Sequence, residues 1–173
     1  MSLEIRLERP QDRDAALDVE RRAFEATGSA ELETRIVRDV RDDEGSFALV
    51  AADGEDVVGH VQFSRGWIGG TPVVALGPIG VSPDRQGGGI GSALVRGGLD
   101  AARWRGEKVV MLLGDPNYYG RFGFRPAMPL GLRNPYAGVM EDGFEIHEED
   151  LQLVFLDGDV PLEGQVQWHA AFG

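Results

Sequence analysis

The sequence predicts an α/β fold of the α+β kind, and three observations carry that prediction. Two apolar runs, residues 47–52 and 57–64, are joined by Asp53-Gly54-Glu55-Asp56, a turn that makes an antiparallel hairpin. Residues 76–95, LGPIGVSPDRQGGGIGSALV, pass from an apolar strand through a glycine-rich loop into positions at helical spacing. Residues 108–113, KVVMLL, form a short and almost wholly apolar run of the kind buried inside a sheet. The hairpin argues against an oxidoreductase built from repeated parallel βαβ units.

In chain order, residues 3–7 alternate apolar and polar in the manner of a first strand. Pro10, Asp12 and Asp14 then supply helix-start chemistry, and Ala16, Val19 and Ala23, with Leu17 and Phe24 beside them, make an amphipathic face. Gly28 and Ser29 end that helix and cap a second, in which Leu32, Ile36 and Val40 recur every four residues. The hairpin follows. Gly66, Gly69 and Gly70 mark another turn before a third strand over 73–81, so a three-strand meander leads into the loop. The helix after the loop contains Gly97-Gly98, each about 1 kcal/mol less favourable than Ala in a helix, so packing has to hold it. Gly114-Asp115-Pro116-Asn117 closes the apolar strand at 108–113, and Tyr118-Tyr119-Gly120-Arg121-Phe122-Gly123-Phe124 comes next. Beyond it, Pro126, Pro129, Gly131, Pro135 and Gly138 give a long irregular stretch, either a wall of an acceptor site or plain surface, before a strand over 151–156.

The loop is built to hold an anion. Glycines let backbone amides approach a ligand without a Cβ in the way, and the helix start adds N–H groups and a positive dipole end. A Walker loop is excluded, because no Lys follows these glycines and the only one, Lys108, lies beyond the helix. Gly87, Gly89 and Ser92 fall at the spacing of a dinucleotide fingerprint, but the third position is not Gly or Ala and Pro83 to Gln86 separate it from the strand. Gln86-Gly87-Gly88-Gly89-Ile90-Gly91 instead resembles the Q/R-x-x-G-x-G/A signature of the GNAT superfamily of acyl-CoA N-acyltransferases. The segment from Tyr119 to Phe124 resembles that family's Y-x-x-x-G-F element, with Gly123 at a turn and Phe124 beginning the next strand. Asp115-Pro116 and Tyr118-Tyr119 are most similar to the bacterial branch carrying G-D-P-x-Y-Y-x-R-F-G-F.

The resemblance implies one GNAT-like domain over 1–173, its core at about 3–124 and residues 125–173 a variable loop plus a C-terminal strand. It implies a central mixed, mostly antiparallel sheet of about six to seven strands flanked by helices on both faces. It also implies acetyl-CoA as co-substrate and an amine of a small molecule or protein as acceptor. By the same resemblance the backbone of Ile79, Gly80 and Val81 meets pantetheine, Gln86, Gly87, Gly88, Gly89, Ile90, Gly91 and Ser92 wrap the pyrophosphate, and Ile79 or Val81 polarises the thioester carbonyl. Tyr119 stands where the family has the hydroxyl that protonates the departing thiolate or positions it by hydrogen bonding, with Tyr118 expected in the core.

The chain departs from the family at the base. Many members place a Glu on the strand before the loop, whereas Gly77-Pro78-Ile79-Gly80 has none, so a water-relayed base is expected, with Glu20, Glu25, His60 and Asp115 as candidates. His60 alternates with Val58, Gln62 and Ser64 and reads as a structural polar position; His147, among Glu145, Glu148 and Glu149, reads as solvated surface without metal-ligand spacing. The alternative to an enzyme is an acyl-CoA-binding or sensor module without turnover. No apolar run approaches the ~20 residues of a membrane span and no leader is visible at MSLEIRLERP, so a cytoplasmic protein, monomer or homodimer, is expected. The absence of Cys removes disulfides and thiol catalysis. A net charge of −12 disfavours a nucleic-acid surface and leans toward a cationic acceptor.

Overall fold

A computed structural model describes residues 2–173. The elements are, in order, β1 (Leu3–Leu7), α1 (Arg13–Phe24), α2 (Ala30–Val40), β2 (Phe47–Asp53), β3 (Asp56–Ile68), β4 (Thr71–Val81), α3 (Ile90–Trp104), β5 (Val109–Leu113), α4 (Pro116–Tyr119), β6 (Arg125–Pro126), β7 (Gly138–Val139), β8 (Glu145–Ile146), β9 (Leu151–Phe155) and β10 (Val166–Gln167). One mixed sheet of eight strands runs β1-β2-β3-β4-β5-β9-β6 with β10 paired to β3, and β7 and β8 form a separate two-stranded ribbon. The β4–β5 pairing is parallel; β1–β2, β2–β3, β5–β9, β6–β9 and β10–β3 are antiparallel. The short strands β6 and β10 bring the sheet to eight, one more than expected, because two-residue pairings leave no periodic trace in a sequence.

Two compact units make up the chain. The first holds the segment up to Ser64, Leu76–Ala101 and His169–Gly173. In it, Ala16 and Val19 of α1 pack on Val50 of β2 and Val57 of β3. Leu49, the next residue along β2, faces the opposite way, toward α3. Helices therefore cover both faces of these strands.

The glycine pair in α3 is explained here. A Cβ at Gly98 would collide with the ring of Phe63, and one at Gly97 would come within 2.8 Å of Ile5 and 3.2 Å of Leu49, so at Gly98 the helix lies closer to the strands than a larger residue permits. On α2 the buried stripe is Ile36, Val37 and Val40, while Leu32 is exposed, which corrects the expected four-residue period by one turn. The C-terminal residues are tied to this unit by His169, whose ring lies 2.6 Å from Asp43.

The second unit, Arg65–Ala75 and Ala102–Trp168, has its own core. Ile68, Val73, Ala75, Val109, Met111, Leu151 and Leu153 interdigitate there with Ala127 and Leu132 from the irregular stretch after Tyr119. That stretch is thus partly structural. Phe124 is buried ahead of β6 rather than inside it, after Gly123 has made the turn with φ 92°.

Candidate active site

The loop begins where β4 ends. Pro83 to Arg85 form a single 3-10 turn closed by the Arg85 N–H on the Ser82 carbonyl, and the Gln86 side chain donates to the Val81 carbonyl at 3.1 Å. Arg85 also pairs with Asp53 at 3.0 Å, and Arg22 donates to the Ser82 hydroxyl, so both flanks of the loop are pinned from other elements. Gly87 and Gly89 adopt φ values of 80° and 86°, which only glycine takes without strain. A Cβ at either would meet nothing within 4 Å, so the space above the loop is open to a ligand.

From Gln86 through Gly89 the chain is exposed, Ile90 is buried beneath it, and Gly91 and Ser92 are half-buried. The amide of Ala93 bonds the Gly89 carbonyl at 3.0 Å, which leaves the Ile90 and Gly91 amides N-terminal to the helix ladder. On β4, Gly80 is buried, while Ile79 and Val81 are half-buried.

In the second unit, Tyr119 sits at the end of the one-turn helix α4. Asp115 caps this turn by accepting the Asn117 N–H at 2.9 Å, and Pro116 takes its first position. Gly114 is required because a Cβ there would overlap the Tyr119 ring. The Tyr119 ring meets Tyr118 and Phe124 edge-on, with centroids 4.9 Å and 6.0 Å apart. Burial, reinforced by Tyr118, pushes its phenol up to about 12. It is therefore a neutral donor at neutral pH. Tyr118 is not a core residue; it is half-exposed, with Arg121 over its ring at 4.5 Å.

Near α4 a cleft of about 630 Å³ opens between the end of β5 and residues 144–150, lined by Asp115, Phe144, His147, Glu149 and Asp150 among others. Residues 144–150 therefore line a cleft and bring acidic groups to it. His147 is exposed there, 3.7 Å from Glu145.

The four candidate bases separate cleanly. Glu25 is exposed and lies 3.9 Å from Arg21; Asp115 is exposed, caps α4 through Oδ1 and lines the cleft. Glu20 and His60 are fully buried in the first unit and share a contact of 2.6 Å between Oε1 and Nδ1. His60 Nε2 in turn lies 3.5 Å from Glu8, which reaches Arg41 at the same distance. The polar face of β3 is buried throughout, since Gln62 and Ser64 are also enclosed.

Comparison with known proteins decides the family. The model of the acetyltransferase (GNAT) family matches residues 13–124. This chain belongs to that family. As a GNAT protein it is an acyltransferase. Escherichia coli K12 has a relative described as an uncharacterized N-acetyltransferase, YhbS, 35% identical over 172 residues that cover 97% of each chain. The crystal structure of YhbS in complex with CoA superposes with a TM-score of 0.85 at 33% identity, covering 98% of this chain and 91% of that one. A GNAT family acetyltransferase from Brucella melitensis, solved with acetyl-CoA, gives 0.76 at 34% identity with 99% of each chain covered.

Proposed function

We propose that residues 1–173 form a single N-acetyltransferase domain that moves the acetyl group of acetyl-CoA directly to a primary amine of a small molecule or protein. The observation that carries this is the loop itself: an exposed run of glycines, open above, feeding the start of a 15-residue helix. The complexes of YhbS with CoA and of the Brucella protein with acetyl-CoA support it. The amides from Gln86 to Ser92 would take the pyrophosphate, and the β4 backbone at Ile79, Gly80 and Val81 the pantetheine arm.

Acetyl-CoA supplies an activated thioester. What the chain supplies is position, a polarising amide on β4 at Ile79 or Val81, and a proton for the departing sulfur from Tyr119. A phenol pushed up to about 12 stays protonated at neutral pH and so has a hydrogen to offer the departing sulfur, by hydrogen bonding or by transfer. The net charge of −12 favours a cationic amine over an anionic one, and we infer a cytoplasmic setting from the cysteine-free sequence. A binding module without turnover is the second reading, favoured by the missing carboxylate on β4.

Thiol release from acetyl-CoA across a panel of polyamines, aminoglycosides, peptides and anionic amines separates the two readings. Turnover with a cationic amine is the expected result; donor binding without release by any amine supports the module. Tyr119→Phe should lower kcat by about 10²–10⁴-fold with donor affinity nearly unchanged, because the hydroxyl acts only as the thioester breaks. A variant that turns over normally leaves Tyr119 as a packed aromatic.

A further inference from the structure

Glu20 is the most enclosed acid among the described residues, with no solvent exposure. One carboxylate oxygen is held by His60 Nδ1 at 2.6 Å, and the other, Oε2, has no hydrogen-bond partner among the described residues. An unpartnered buried carboxylate oxygen is costly, and native structures hold few such groups.

What Oε2 lies against is the strand proposed to carry pantetheine. A Cβ at Gly80 would stand 2.5 Å from Oε2 and 3.1 Å from the methyl of Ala23, so the position on β4 must be glycine for the carboxylate to fit. The family pattern of a β4 carboxylate is absent here, and the space beside that strand is filled by a carboxylate from α1 instead. Ala23, beside the same carboxylate, is half-buried.

We propose that Glu20, held by His60, receives through water the proton that the attacking amine must shed, in place of a base on β4. The assignment rests on the acetyltransferase reading given above. One N–H bond of the ammonium breaks and its proton passes through water to Oε2. The nitrogen forms its bond to the acetyl carbon as the carbon–sulfur bond breaks; the second nitrogen proton leaves to solvent, the thiolate takes the Tyr119 proton, and the Tyr119 phenolate recovers one from solvent. Glu20 returns its proton to solvent after the products leave. Groups facing the pair are His60 on β3, Glu8 beyond β1 with Arg41 at the end of α2, and Glu33 on α2. Burial raises the Glu20 carboxyl, His60 opposes that rise, and burial together with the charge of Glu20 pushes Glu33 up to about 7.

Four variants and one spectrum test the proposal. Glu20→Gln should lower kcat at neutral pH by about 10²-fold or more, leave calorimetric donor affinity within a few-fold, and abolish the acid limb of the pH–rate profile. Glu20→Asp should recover part of that rate. His60→Gln should move the limb to higher pH, because its contact lowers the Glu20 carboxyl. Glu33→Gln should leave the limb in place. Carbon-13 NMR of the side-chain carboxyls of the ligand-free wild-type protein should show Glu20 titrating above the ordinary glutamate range, with its midpoint on the acid limb.

A Glu20→Gln variant with wild-type rate and profile overturns the assignment, as does a limb that vanishes with Glu33 and not Glu20, or a carboxyl midpoint that misses the limb. Should Glu20→Gln fail to fold, the carboxyl titration alone decides. Wild-type protein that releases no thiol with any amine overturns the acetyltransferase reading and this proposal with it, whereas release that survives Glu20→Gln overturns this proposal alone.

Discussion

Gly97 and Gly98 offer a matched pair of perturbations, one residue apart in the helix that carries the loop. Replacing either by Ala should gain about 1 kcal/mol of helix propensity, so their difference isolates what the new methyl meets. At position 98 it meets the edge of Phe63, which is fully buried and stacked on Phe47 with ring centroids 4.5 Å apart and planes 6° from parallel. A stacked ring at native density cannot step aside, and overpacking of this kind costs about 1–3 kcal/mol. At position 97 the nearest atoms are a methyl of Ile5 at 2.8 Å and a methyl of Leu49 at 3.2 Å, and Ile5 is half-buried on β1, at the end of the sheet order, where a larger shift is cheaper than in a stacked, fully buried ring.

Gly97→Ala is thus expected to be neutral to slightly stabilising, and Gly98→Ala to be destabilised by about 1–2 kcal/mol relative to it. In a chain of 173 residues that difference corresponds to roughly 2–8 °C in Tm. Urea and thermal unfolding of the two variants, at matched m-values, measure it. Equal stabilisation of both would refute the reasoning, since it would mean that Phe63 is free to move and that the pair is not there for close approach.

Two further outcomes follow from the same structure. Gly88→Val should abolish coenzyme A binding in a calorimetric titration without loss of stability, because φ at Gly88 is not positive and its Cβ would meet only the Arg85 carbonyl, at 3.7 Å; undiminished affinity would place the donor elsewhere. Asp12→Asn should destabilise the first unit by about 3 kcal/mol, since Asp12 takes two bonds from Arg6 at 2.6 Å and 3.0 Å and one from the Arg9 amide at 2.7 Å in a buried position. Arg6 and the Arg9 amide hold the Asp12 carboxyl below its ordinary value, so this stability is full above the ordinary aspartate range and is lost as pH falls through the lowered value; urea midpoints for wild type and Asp12→Asn should converge there.

Local chemistry determined much of what was legible in the chain. The Asp53 to Asp56 turn, the apolar run of β5 and the glycines between β4 and α3 each specify their own conformation through neighbours a few residues away, and the structure has the hairpin, the strand and the loop at those places. The family resemblance is carried by the same short segments, because a glycine-rich turn from a strand into a helix is written in consecutive residues.

The tertiary structure alone decided the contacts between positions far apart in sequence. Glu20 on α1, His60 on β3 and Gly80 on β4 are 20 to 60 residues from one another, and none carries a local sign of its partner. Glu20 lay in plain view on the same face as Ala16 and Val19, where a carboxylate is the residue out of pattern. Gly80 was legible only as a departure from a carboxylate-bearing strand. That the departure and the misplaced acid answer each other is a matter of packing volume, since a carboxylate and a Cβ cannot share one space, and volume is settled only when the strands and helices come together.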